Sequence, residues 1–341
     1  MSLATIPRAA VPAVPFDHLI RLSDETGLFE HAELTRPRPE HGYCLDDVAR
    51  ALRVTVRAPG AETARLTGVY FRFVAQAQAP DGTFHNRRDI TGRWTDRPNV
   101  EDCWGRALWA LGTVAADGPE PLSSEALSRF ELGAAHRCEW PRAMAFAGLG
   151  AAEVLRARPG HAAAAALLDD AAQAVPTLPD DGDWRWPEPR LSYANAALPE
   201  VLIAAGSATG DACLLADGLD LLAWLLAHET VGDRLSVTPV GGRGPGQPGP
   251  AFDQQPIEVA ALADACSRAF AVTGERLWAD AVLRCADWFL GANDAGVQLY
   301  DPISGGGCDG LEPQGRNENQ GAESTLAMIS TFQQAHLAGP A

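Results

Sequence analysis

The sequence predicts an all-α fold, an (α/α)6 barrel with short β-hairpins in the long loops at one mouth. Three observations lead there. Amphipathic helices alternate with helices that are apolar almost all round. The starts of the apolar set recur roughly every 40 to 65 residues, six times over, which marks an internal repeat of helical hairpins. Connections into the apolar helices are long, whereas connections out of them are short.

The outer, amphipathic helices are expected to begin near residues 15, 61, 122, 160, 208 and 276. In 276–290, for example, Arg276, Asp280, Arg284 and Asp287 form one stripe and Trp278, Val282, Cys285 and Phe289 another. The inner set is expected near 47, 102, 142, 192, 257 and 321; Asp102–Val114 is typical, with little polar after its first turn. A helix apolar on every side is buried on every side, and six such helices point to a closed barrel. An open solenoid would need polar capping repeats. The expected organisation is a single domain over residues 1–341, with 1–16 and 338–341 less ordered. The segments 23–46, 79–101, 176–191, 229–256 and 293–319 each lead into an inner-helix N-terminus, so they share one mouth. Turn chemistry in 83–94 predicts a small hairpin there, and the Gly/Pro-rich tract 241–250 predicts a lid or a plain loop.

The 341 residues carry 44 acids against 27 bases, a net charge of −17; every base is Arg. So acidic a surface argues against nucleic acid or anionic membrane as partner and favours a neutral or cationic small molecule. No run approaches the ~18 apolar residues of a membrane span, and no signal peptide is legible near the N-terminus. Seven widely spaced cysteines without a CxxC read as reduced thiols of a cytoplasmic protein, with no disulfide frame. No cofactor or metal motif is present: GxSxG, P-loop, HExxH and Rossmann glycine patterns are all missing. The Asp46-Asp47 pair is superficially like an aspartate-rich terpene-cyclase site, but the mouth's amides do not suit a hydrocarbon. A zinc site from Cys44, Cys103 and Cys308 with His41 or His85 matches no standard spacing.

The long segments end in acids, amides and aromatics. They supply His41, Tyr43, Asp46 and Asp47; His85, Asn86, Trp94, Glu101 and Asp102; Trp184, Trp186 and Glu188; Glu258; and Asn317, Glu318, Asn319 and Gln320. Acids at helix starts cap free N–H groups, and that role suffices for any one of Asp46, Asp102 or Glu258. The doubled acids Asp46-Asp47 and Glu101-Asp102 exceed what capping needs. Carboxylates and amides interleaved with Trp and Tyr suit a sugar, whose C–H faces stack on rings while its hydroxyls take hydrogen bonds. Glycoside hydrolysis needs two carboxyls, one protonated and one ionised.

The run His41-Gly42-Tyr43-Cys44 with Asp46-Asp47 and Ala49-Arg50-Ala51-Leu52 resembles an HGYCTDDNARAL motif. Glu101-Asp102 with the segment 105–112 resembles EDSHGRALWALG, and 317–326 resembles NENQGAESTL. Asp24, Thr26-Gly27-Leu28 and His31 fit a DDTGLLQHA pattern. Together these are similar to a bacterial family of (α/α)6 proteins labelled glycosyltransferase-like or uncharacterised, itself similar in architecture to six-hairpin glycosidases. The resemblance implies a carbohydrate role. Leu45, Val48 and the pair Cys103-Trp104 depart from it, the last replacing Ser-His.

The reading that results is a carbohydrate-active enzyme, an inverting glycosidase acting on a sugar or oligosaccharide. Asp47 or Asp102 is the expected base and Glu318 or Glu188 the expected acid, with Asp46, Glu101 and Glu258 as further candidates. His41, Tyr43, His85, Asn86, Trp94, Trp104, Arg106, Trp184, Trp186, Tyr193, Asn317, Asn319 and Gln320 are expected to bind substrate. A non-catalytic glycan-binding domain is the alternative. A sugar epimerase would need two histidines on one ligand, for which His41 and His85 qualify.

Overall fold

The computed structural model describes residues 10–177 and 182–339. Of the stretches expected to be less ordered, residues 1–9 and 340–341 lie outside the described residues, as do 178–181 of the third long segment.

Twelve helices are described. The inner ones are α2 (Leu45–Val56), α4 (Asp102–Asp117), α6 (Pro141–Ala157), α8 (Ala197–Thr209), α10 (Pro256–Thr273) and α12 (Ala322–Ala338). Each packs on the next and α12 returns to α2, which closes an (α/α)6 barrel. Outside it stand α1 (Asp17–Arg21), α3 (Ala61–Ala77), α5 (Leu122–Gly133), α7 (Ala162–Gln173), α9 (Ala212–His228) and α11 (Arg276–Phe289). The sixth outer position is filled by only five helical residues, with Val11, Val14 and Phe16 before them packed on the core.

Five two-stranded antiparallel ribbons decorate the long loops. The pair β1 (Ala32–Glu33) and β2 (Arg36–Pro37) is local; β3 (Tyr43–Cys44) pairs with β4 (Arg87–Arg88) and joins the first two mouth loops. The predicted turn in 83–94 closes through an Arg88–Trp94 bridge. In the 241–250 tract, Arg243 is buried, pairs with Leu191 and donates to the Ser236 carbonyl.

Mouth loops cap the inner helices from a distance. Leu45 N–H donates to the Asn86 carbonyl at 2.9 Å and Asp46 N–H to Asn86 Oδ1 at 3.3 Å, so the second loop caps α2. Ala322 N–H meets the Glu30 carbonyl at 3.0 Å, so the first loop caps α12. Helix α8 starts five residues later than the sequence suggests. The amides of Ala194 and Asn195 donate instead to the Glu258 carboxylate, which holds residues 192–196 in an irregular turn.

Helices α4 and α6 approach so closely that glycines are required. A Cβ on Gly112 would strike the Gly150 carbonyl, and one on Gly150 would strike that of Leu108. Gly112→Ala should therefore lower unfolding free energy by about 1–3 kcal/mol through overpacking, measured by urea titration; an unchanged midpoint would refute this packing.

Candidate active site

The N-termini of α2 and α12, with Gln255 just ahead of α10, open onto a basin of about 440 Å³. Its floor is the first turn of α2, with Asp46, Asp47 and Arg50, and the start of α12, with Glu323; Glu30, His31, Arg87, Asp309 and Asn317 form the wall. Asp47 is buried, and its Oδ1 accepts from Arg50 Nη1 at 2.9 Å. The same Nη1 lies 2.8 Å from Glu323 Oε2. Burial pushes the Asp47 carboxyl up to about 7; Glu323, Glu30 and Asp46 add to this, and Arg50 opposes it. The sequence reading made Asp47 a base because helix N-termini favour the anion. Here loss of solvent outweighs the helix end, and the group suits proton donation near neutral pH.

Asp46 has a different setting. Its Oδ1 lies 3.8 Å from Arg106 Nε and has no hydrogen-bond partner, while Asn86 Nδ2 donates weakly to Oδ2 at 3.4 Å. Burial raises its pKa, and Arg106 and then Arg50 oppose the rise. Asp46 Oδ1 is thus a buried oxygen beside a guanidinium, without a hydrogen bond of its own.

A polar chain continues around the rim. Tyr193 O–H donates to Asp102 Oδ2 at 2.6 Å, and the Tyr193 carbonyl accepts from Arg142 Nε at 2.5 Å. Arg142 holds both oxygens of Glu188 at 2.8 Å. Glu188 is thus engaged by a guanidinium and lies outside the basin. Glu318, exposed and forked onto Arg316 at 3.1 and 3.0 Å, does not line it either. Glu101 is exposed ahead of α4, and Glu258 is the buried clamp on Ala194 and Asn195, pushed up to about 8 mainly by burial.

The expected sugar-binding residues divide. Asn317 lines the basin, Asn86 braces Asp46, and Arg106 faces the barrel axis over Phe146. Trp104 is a correction: fully buried, with its indole N–H on the Gly133 carbonyl, it points outward to α5. Trp186 is buried too, and Trp184 packs edge-on against Trp224 of α9, so neither reaches the axis. Tyr43 donates to Asp24 behind the wall, and Gln320 is buried on Ser304 and Asp301. Asn319 accepts from the Leu34 amide. His85 stacks on Trp94, and His41 lies edge-on to His31; of these four rings only His31 lines the basin.

Sequence reasoning missed Glu30, Arg50 and Glu323 as lining groups of the basin, and Arg53, Trp109 and Glu200 as lining groups of a smaller cavity next to it. The available signal was a charge inside an otherwise apolar inner helix, as at Arg53 and Glu200. Among the described residues, Glu30, Cys44 and Asp47 place ligand atoms within 4.8 Å of one another. Glu30 already pairs with Arg87 and Asp47 with Arg50, so guanidinium groups occupy both carboxylates.

No protein-family model and no curated protein matches the sequence. Solved structures do match in fold. A cellobiose 2-epimerase from Bacillus thermoamylovorans superposes with TM-score 0.70 at 12% identity, covering 94% of this chain and 95% of that one. A sugar epimerase from a ruminal bacterium gives 0.69 at 11%, covering 94% and 95%. An α-1,6-mannanase of a Salegentibacter species gives 0.65 at 10%, covering 95% and 96%. The chain thus has the (α/α)6 architecture found in sugar epimerases and glycoside hydrolases. Among the described residues, no helix is long and apolar enough to cross a membrane.

The raised carboxyls carry a stability signature. Asp47 and Glu200 stand at about 7 and Glu258 at about 8, each above its unfolded value, so the folded state keeps protons that the unfolded state releases. Their stabilising contribution is complete at low pH and is lost as pH rises through 7 to 8. His18 and His228 are lowered and act oppositely, but only below the unfolded histidine value of 6.5. The melting temperature should fall between pH 6.5 and 8; a flat or rising profile in scanning calorimetry would contradict these assignments.

Proposed function

We propose that the chain is a glycoside hydrolase acting on a neutral oligosaccharide, with Asp46 and Asp47 as its catalytic pair. The observation that carries this is the contrast between two adjacent carboxyls in one basin. Asp47 is the more buried, its side chain 6% exposed and its carboxyl raised to about 7, whereas the Asp46 side chain is 21% exposed. Asp47 donates its proton to the glycosidic oxygen as the C1–O bond breaks. Asp46 takes a proton from the water whose oxygen bonds to C1, and the product anomer is inverted. The fold is in keeping with this: the similar mannanase is recorded as an inactive variant in which two consecutive aspartates are replaced by asparagine, with mannotriose bound.

Epimerisation fits the residues less well. It was expected to use His41 and His85, and neither lines the basin. The transferase label attached to the resembled family has no structural counterpart, since the described strands form only two-stranded ribbons and no Rossmann sheet. A binding-only domain would not call for a carboxyl raised to about 7 beside a second carboxyl in the basin.

Asp47→Asn and Asp46→Asn should each lower kcat on an oligosaccharide panel by about 10²–10⁴-fold, the usual worth of acid–base catalysis. Asp47→Asn should recover most activity on an aryl glycoside whose leaving group needs no proton, and Asp46→Asn should not. Wild-type kcat should fall above pH 7 as Asp47 ionises. Full activity in either variant would refute the assignment.

A further inference from the structure

Among the described residues only two of the Trp, Tyr and Phe side chains are exposed, Trp140 at 56% and Tyr193 at 42%. Both stand at the mouth. Trp140 directly precedes inner helix α6, and Tyr193 lies in the irregular turn ahead of α8. They flank a common side chain: Arg142, two residues past Trp140, donates from Nε to the Tyr193 carbonyl at 2.5 Å, and its guanidinium carbon lies 5.1 Å from the Tyr193 ring.

The backbone that presents Tyr193 is held by force. Ala194 has φ +45°, in the left-handed region that side chains disfavour. Such a conformation persists only where the surroundings enforce it. Buried Glu258 does so, accepting from the amides of Ala194 and Asn195 and from Asn195 Nδ2 at 2.9 Å. Tyr193 is left exposed, with its hydroxyl fixed on Asp102 Oδ2 at 2.6 Å.

This patch adjoins the basin. Asp102 lies four residues before Arg106 on α4, about 6 Å along the helix, and Arg106 Nε is 3.8 Å from Asp46 Oδ1. Asp102 is near enough to Asp46 to help raise its pKa. On the other side, the Trp140 amide donates to Cys138 Sγ at 3.4 Å, and the Asp102 and Glu101 carboxylates act on that thiol. Ring faces open to solvent beside fixed carboxylates suit a pyranose, which stacks through its C–H face and offers hydroxyls to acceptors. Arg142 is already forked onto Glu188, so the patch holds no free cation to select an anion.

We propose that Trp140 and Tyr193 form an outer subsite that stacks one neutral pyranose ring of a chain whose reacting bond lies in the basin. The protein therefore prefers oligosaccharides to disaccharides. Cleavage in the basin rests on the hydrolytic reading above; the stacking does not.

The test is isothermal titration calorimetry of Asp47→Asn protein, chosen to suppress turnover, with gluco-, manno-, galacto- and xylo-oligosaccharides of two to six units. At least one series should bind, with affinity that rises beyond the disaccharide. Adding Trp140→Ala should weaken the longer members about 2–10-fold, the worth of one aromatic contact, and leave the disaccharide unchanged. Trp140→Phe, which keeps a ring, should retain most of the affinity. Tyr193→Ala should weaken the same longer members, with melting curves confirming that each variant is folded. No binding in any series, or longer members bound equally well by folded Trp140→Ala protein, overturns the subsite. Equal weakening at every length puts the ring elsewhere and overturns it too. Length-dependent binding that Trp140→Ala abolishes, in a protein whose wild type cleaves none of these glycans, upholds the subsite and overturns hydrolysis instead.

Discussion

Inner helices buried on every side leave their polar side chains one outlet, the barrel axis. The basin at the mouth follows from that constraint. A charge on an inner helix must meet an opposite charge across the axis or face a ligand, because an unpaired buried ion is strongly disfavoured. Arg50 shows the principle: one nitrogen holds Asp47 from its own helix and Glu323 from α12. This bridge links the two helices at which the ring of the barrel closes.

Arginine is the natural partner in such a place. Its planar guanidinium lies flat on an aromatic ring and still keeps donors free at its edge. Arg53 on Trp109 and Arg106 on Phe146 do so on two rings that stack on each other from the neighbouring helices α4 and α6. The pairing is incomplete: Asp46 Oδ1, Glu200 Oε2 and Trp109 Nε1 are buried without a partner. Burial raises both Asp46 and Asp47 against nearby arginines, and Asp47, the less exposed of the two, reaches about 7.

The barrel was legible because all-round apolarity and loop length are properties of segments and survive small errors in position. The adjacent acids Asp46-Asp47 were legible because they begin an inner helix. The orientation of individual side chains was not. Trp104 and Trp109 sit in one apolar run of α4, yet the first faces α5 and the second the axis. A helix apolar all round has no polar stripe to indicate which way it is turned. Glu188 and Glu318 were misplaced for another reason. The loop of Glu188 is set by a distant partner, Arg142 on α6, which no local pattern encodes, and Glu318, just past the ribbon of Gly310–Glu312 with Gly315–Asn317, is drawn away by Arg316 two residues before it.

The reading turns on Asp47 carrying a proton near neutral pH while it lines the basin. Infrared difference spectra of wild-type protein against Asp47→Asn, recorded from pH 5 to 9, measure this directly. The account predicts a protonated-carboxyl band specific to the wild type that persists at pH 6 and disappears with a midpoint near pH 7. A band already lost by pH 5 would show Asp47 ionised throughout and would contradict the account.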